Sequence, residues 1–224
     1  MTNPNPFPSR RLTAICLIAA GVLMVVGFAV TPWESEQTSR AYHDTLAANA
    51  DQSQVAAVFL HFGYLLLVPA AFGIMSLLAP RGGWLLKIGG VISVFGMATL
   101  PGLLVTDSYD LAMAQELPRD VSVRVTDAAG ELPLSMIMTL PAVLGVVLGM
   151  ILLFVALWRA GEVAVWSPVL VAAGWIVSFA SFGLVTIVIG GSVMLAGFVL
   201  AAIRLLAPER TRAPEVTADA TAMP

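Results

Sequence analysis

From Val163 to Ile203 the chain runs 41 residues without a single Asp, Glu, Lys, Arg or His. Such a stretch belongs in lipid, where the backbone must satisfy its own N–H and C=O groups and therefore forms helix. As one rod at ~1.5 Å per residue it would reach ~60 Å, about twice the ~30 Å hydrocarbon core, so it is expected to turn back and cross twice. Ser181 to Gly183 and Gly190-Gly191-Ser192 both offer small residues where the helix can break. The expected spans are about 167–186 and 188–206.

Four further apolar blocks precede it: Leu12 to Val30, Val55 to Ala79, Trp84 to Val105 and Leu134 to Trp158. Only 11% of the 224 residues are charged and mean hydropathy is +0.91, well outside the range of soluble globular chains, where about a quarter are charged. The fold class expected is all-α: a polytopic membrane protein with a six-transmembrane-helix bundle (spans about 12–30, 55–79, 84–105, 134–158, 167–186 and 188–206) and two extracytoplasmic loops. Residues 207–224, rich in Pro, Ala, Thr and Glu, are expected to form a disordered cytoplasmic tail. Arg10 and Arg11 stand before the first block, as in a signal peptide. Its 19 residues exceed the usual ~7 to 15, however, and Ala29-Val30-Thr31 is a poor cleavage site, which favours a retained anchor.

Orientation follows from Arg and Lys, which cytoplasmic loops retain. The segments read as inner hold Arg10, Arg11, Arg81, Lys87, Arg159, Arg204, Arg210 and Arg212, eight of the eleven bases. Those read as outer hold Arg40, Arg119 and Arg124 with ten of the fourteen acids. Both termini are therefore expected in the cytoplasm of a cell membrane, and an even number of crossings is needed to put them there. Trp33, Trp84, Trp158 and Trp166 then fall at span ends, as an aromatic belt requires. Ten arginines against one lysine fit a GC-rich bacterial coding sequence.

Nearly all extramembrane mass lies in two outer loops. Thr31 to Gln54 is Ala- and Gln-rich and is expected to carry a short surface helix. Asp107 to Pro133 is expected to open with a helical turn over Tyr109 to Glu116, and its Val121, Val123 and Val125 alternation is the only strand-like pattern in the chain. Pro69-Ala-Ala-Phe-Gly73 and Pro141-Ala-Val-Leu-Gly145, 72 residues apart, form a faint repeat that the abundance of Pro, Ala and Gly in membrane helices accounts for better than duplication does.

His61 is the most conspicuous candidate for function, because an ionisable side chain two turns inside a membrane helix is costly. Gln54, His61 and Tyr64 share a face by spacing, and Asp107 and Asp110 leave the third span at a similar depth. A ligand site built from His61, Tyr64, Asp107 and Asp110, with Tyr109 and His43 nearby, is the functional expectation, suited to an ion, a proton relay or a small polar ligand. The plainer alternative is a hydrogen bond from His61 to a carbonyl of a neighbouring helix. Gly145-x-x-x-Gly149 and Gly174-x-x-x-Ser178 are small-xxx-small patterns, expected to pack helices against one another.

Absences narrow the classes. A single cysteine, Cys16, forbids an intramolecular disulfide, CxxC redox chemistry and a cysteine zinc site. There is no HExxH helix, no second histidine within a span for haem, no glycine-rich nucleotide motif and no basic stripe for nucleic acid. No cofactor is expected. The partners expected are the bilayer and either another membrane protein or a second copy. The reading is an integral membrane protein without enzymatic activity that binds a ligand, ion or partner on its outer face near His61; the alternative is a small transporter or channel for a neutral solute, which needs a continuous cavity.

Overall fold

The computed structural model describes residues 9–34, 36–79, 83–180 and 183–207, without the side chains of Met138, Phe179 and Ala180. The tail expected at 207–224, apart from Ala207, and the connection around Arg81 lie outside them. Every regular element described is an α-helix: α1 (Arg10–Val30), α2 (Ser39–Ala48), α3 (Ala50–Leu78), α4 (Gly83–Glu116), α5 (Arg119–Gly130), α6 (Ser135–Arg159), α7 (Trp166–Ala180) and α8 (Leu184–Leu206). Five of them, α1, α3, α4, α6 and α8, are long and apolar enough to cross a membrane. The sixth apolar helix, α7, has 15 residues and is ~22 Å long.

The six apolar helices close into a ring in chain order, each packed on the next and α8 packed back on α1. Glycines fix the direction of each pair. Gly27 meets Leu60 while Gly73 meets Thr13, so α1 and α3 are antiparallel; Gly89 meets Leu152 while Gly96 meets Gly145, so α4 and α6 are antiparallel. Gly21 against Leu195 with Gly191 against Phe28, and Gly174 against Gly190 with Gly197 against Ser167, give the same relation for α1 with α8 and for α7 with α8. The start of α1 and the end of α8 therefore share one end of the ring, here the terminal end. At the other, the cap end, sit α2 and α5.

These close approaches are possible because a missing side chain lets backbones touch. Gly145 and Gly149 of α6 lie against Gly96 and Ser93 of α4, and Gly174 and Ser178 of α7 lie against Gly190 of α8. Outward, the ring presents Ile15, Val58, Phe62, Phe95, Ile176 and Val185, all exposed, which is the surface a lipid solvent calls for. Trp84, Trp158 and Trp166, also exposed, gather at the terminal end.

The structure refines three expectations. The last apolar block turns at Gly183, whose φ of 155° and ψ of 153° lie in a region practically reserved for glycine, so the helices end and begin at Ala180 and Leu184 rather than near 187. Gly190-Gly191-Ser192 is helical. The Val121-Val123-Val125 alternation is not a strand: α5 runs through it, because no second strand is present among the described residues to pair with and because Arg119, Asp120 and Thr126 dock on α2. Finally, Tyr109 to Glu116 is helical as expected, as the continuation of α4 beyond its apolar stretch.

Candidate functional site

The sequence-selected residues lie at three levels, counted from the cap end into the bundle. At the cap, the last turns of α4 lift Asp107 and Asp110 clear of the apolar Trp84–Val105 stretch and place them under α2. The Tyr42 hydroxyl of α2 donates to Asp110 Oδ2 at 3.4 Å, and Thr126 Oγ1 of α5 donates to Asp110 Oδ1 at 3.3 Å. His43, fully buried, sits 2.8 Å from the same threonine oxygen. Since the threonine proton points to the carboxylate, His43 Nε2–H is the donor, which leaves Nδ1 bare and without a partner in a buried position. The imidazole also meets the Tyr42 ring edge-on, with centroids 5.6 Å apart. Leu46, Leu111 and Ala114 form a small apolar core beneath this network.

The charges of the cap are distributed unequally. Arg40 pairs with Asp120 and Arg119 Nε lies 2.6 Å from Asp44, so these two arginines lock α2 to α5, while Arg124 Nε donates to the Asp120 carbonyl of its own helix. Asp107 and Asp110, one turn apart, face hydroxyls instead. Burial raises the Asp107 carboxyl to about 6, the Asp110 charge adds to that, and the Tyr42 hydroxyl opposes it. Burial, then the charges of Asp107 and Asp110, push the Tyr42 phenol far above its ordinary range, so it remains a donor.

One level down, His61 of α3 sits with Nδ1 3.2 Å from the Pro101 carbonyl oxygen of α4. Asp107 lies six residues further along α4, ~9 Å up the axis. His61 and the aspartates thus occupy separate levels. Tyr109 is 69% exposed and Gln54 is exposed with its amide on its own helix, so neither joins them. His43 does join Asp110, through Thr126.

At the third level the helices leave a partly open cavity of about 230 Å³ between them. All six helices line it in their cap-end halves, among them Phe28, Tyr64, Leu100, Val147, Trp175 and Ile187. Trp33 folds over its upper edge, its indole N–H held 3.1 Å from the Phe28 carbonyl. Below the cavity the ring is filled. Phe154 and Phe198 meet across it with centroids 5.4 Å apart, and Leu67, Ile74, Met150, Leu153 and Met194 around them are essentially inaccessible.

The residues missed by sequence reasoning are Tyr42, Thr126 and the cavity wall. Tyr42-His43-Asp44 precedes one copy of the faint repeat as Tyr109-Asp110 precedes the other, which was a weak signal; Thr126 and the wall apart from Tyr64 offered none. Among the described residues no group of three or more His, Cys, Asp or Glu side chains comes together as a metal site. Comparison with protein families, with curated proteins and with solved structures finds no match.

Proposed function

We propose that this chain is a non-enzymatic membrane protein that crosses the cell membrane six times with both termini cytoplasmic, and that binds a small molecule from its outer, cap-end face. The observation that carries this reading is the cavity: lined by six helices, confined to the cap-end half, and stopped below by Phe154 and Phe198. In this reading Tyr64 belongs to the wall, and His61 holds the adjoining Pro101–Leu100 segment of α4 in place. Asp107 and Asp110, with Tyr42, form the polar rim above. The filled lower half favours binding over passage of a neutral solute, since conduction needs a path through both halves. Arg10, Arg11, Lys87, Arg159 and Arg204 at the terminal end support a cytoplasmic assignment for that end.

Two measurements test it. Native mass spectrometry of protein extracted directly into nanodiscs should show a bound small molecule that a cavity-filling Val147→Phe variant lacks; an adduct retained by the variant, or none in the parent chain, would count against the site. A protease added outside intact cells should leave a C-terminal tag uncut. Cleavage there would overturn the orientation.

A further inference from the structure

Resting on that reading, we infer that the cavity takes a compact, neutral, mostly apolar molecule carrying one carbonyl-type oxygen, which accepts a hydrogen bond from the Tyr64 hydroxyl. Two other polar groups in the wall are already engaged: the Trp33 indole donates to the Phe28 carbonyl, and the Ser178 hydroxyl donates to the Gly174 carbonyl at 2.9 Å. The Tyr64 hydroxyl has no partner among the described residues, although the side chain is 8% exposed. A buried donor left unpaired is costly, and water is a poor remedy, since an ordered water wants two to four polar partners. A ligand oxygen needs only the one.

Size and shape restrict the ligand further. By proportion to a cavity of ~150 Å³ that holds benzene, the present one holds roughly nine to a dozen non-hydrogen atoms. Phe28, Trp33, Tyr64 and Trp175 surround it with ring faces and edges, which suits a rigid cyclic body better than a flexible chain.

A route of entry is also visible. Of the helices consecutive around the ring, α6 and α7 pack most loosely, and the cavity lies between their cap-end halves, with Val143, Val146 and Val147 on one side and Trp175 and Ser178 on the other. The seam faces the outer leaflet in the proposed orientation, so the ligand partitions into lipid before it binds. A phospholipid tail does not meet the requirement. Tyr64 lies nine residues beyond Val55, ~13 Å below the start of the apolar stretch, whereas a lipid keeps its ester carbonyls at the interface and sends only hydrocarbon to that depth.

The test uses the full chain in nanodiscs with two rigid probes of one shape, 2-adamantanone and adamantane, and reads binding by saturation-transfer NMR against empty nanodiscs. The parent chain should prefer the ketone by roughly three- to tenfold, the worth of one hydrogen bond. Tyr64→Phe should bind both probes alike, with its affinity for adamantane unchanged, which also shows that the variant is folded. Equal affinities in the parent chain, a preference that survives in Tyr64→Phe, or a phospholipid tail displaced from the cavity by either probe would overturn the carbonyl assignment while leaving the binding site in place. Failure of both probes to bind, or undiminished binding in Val147→Phe, would overturn the site as well.

Discussion

His61 Nδ1 and the Pro101 carbonyl oxygen stand 3.2 Å apart, joining α3 to α4 one turn above the Tyr64 cavity. Interhelical hydrogen bonds of this kind within membranes are worth ~0.6 kcal/mol on average and up to ~1.7 kcal/mol. His61→Phe keeps bulk and removes the donor. It should lower unfolding stability by about 0.5–1.5 kcal/mol in a detergent titration, and because Leu100 beside Pro101 lines the cavity, 2-adamantanone affinity should fall several-fold. Unchanged stability with binding abolished would make the imidazole a direct ligand contact instead.

The tightest seam in the ring is the backbone contact of α4 with α6. A methyl group on Gly96 would run into the Gly145 carbonyl carbon and the Val146 nitrogen, neither of which can rotate aside. Gly96→Ala should therefore push the two helices apart and cost about 1–3 kcal/mol or more. Gly102, on the same helix, has nothing within 4 Å of where its Cβ would stand, so Gly102→Ala should be neutral or stabilise by up to ~1 kcal/mol. Thermal unfolding of the two variants side by side separates close packing from helix propensity.

Element type was legible in the sequence because lipid leaves the backbone few options. The uncharged run from Val163 to Ile203 has to be helical, and of the two breaks its small residues offered the chain uses the one at Gly183: Gly190 and Gly191 resemble a break, yet they serve as the surface on which Ser178 and Phe28 pack. The ends of the apolar stretches at Val55 and Val105 were not the ends of the helices, since α3 starts at Ala50 and α4 continues to Glu116; hydropathy reports where lipid stops, and a helix can continue into water on its own hydrogen bonds. Of the candidate site, spacing put Gln54, His61 and Tyr64 on one face of a helix, of which Gln54 is exposed. It could not show that Tyr42 and Thr126 meet at Asp110, nor that six helices leave a void beside Tyr64, because both are properties of how helices distant in the chain come together.

At the terminal end, Arg10 at the start of α1 grips both oxygens of Glu162 in the α6–α7 connection, at 2.7 and 3.2 Å. Glu162 is only 9% exposed and has a further interaction of its own, so a substitution of Arg10 removes a charge-assisted pair from a poorly hydrated carboxylate. Arg10→Ala should cost about 1.5–3 kcal/mol, the scale of hydrogen bonds to charged groups. Since the pair tethers the end of the loose α6–α7 seam, hydrogen exchange should accelerate first in residues 160–165. Loss of protection confined to the first turn of α1 would mean that the tether is local.

The cap should respond to acid in the opposite sense from a salt-bridged domain. Asp107 is held up at about 6 by burial, and next by Asp110, against 3.8 for the free side chain; Tyr42 above it opposes the rise, and the cap's three arginines are engaged with Asp44, Asp120 and the Asp120 carbonyl. A group whose folded value is raised binds its proton more tightly when folded, so between about pH 4 and 6 the folded cap holds more protons than the unfolded one, and stability rises as pH falls through that window. Above about pH 6 the buried charge is a standing cost. Asp107→Asn removes that cost, so the protection factors of the α2 amides, taken against the intrinsic exchange rate at each pH, should rise at pH 7 relative to the parent chain and become nearly independent of pH between 4 and 6. If protection of α2 in the parent chain declines as the pH is lowered from 6 to 4, Asp107 is stabilised as the anion and the arrangement under Tyr42 works in reverse.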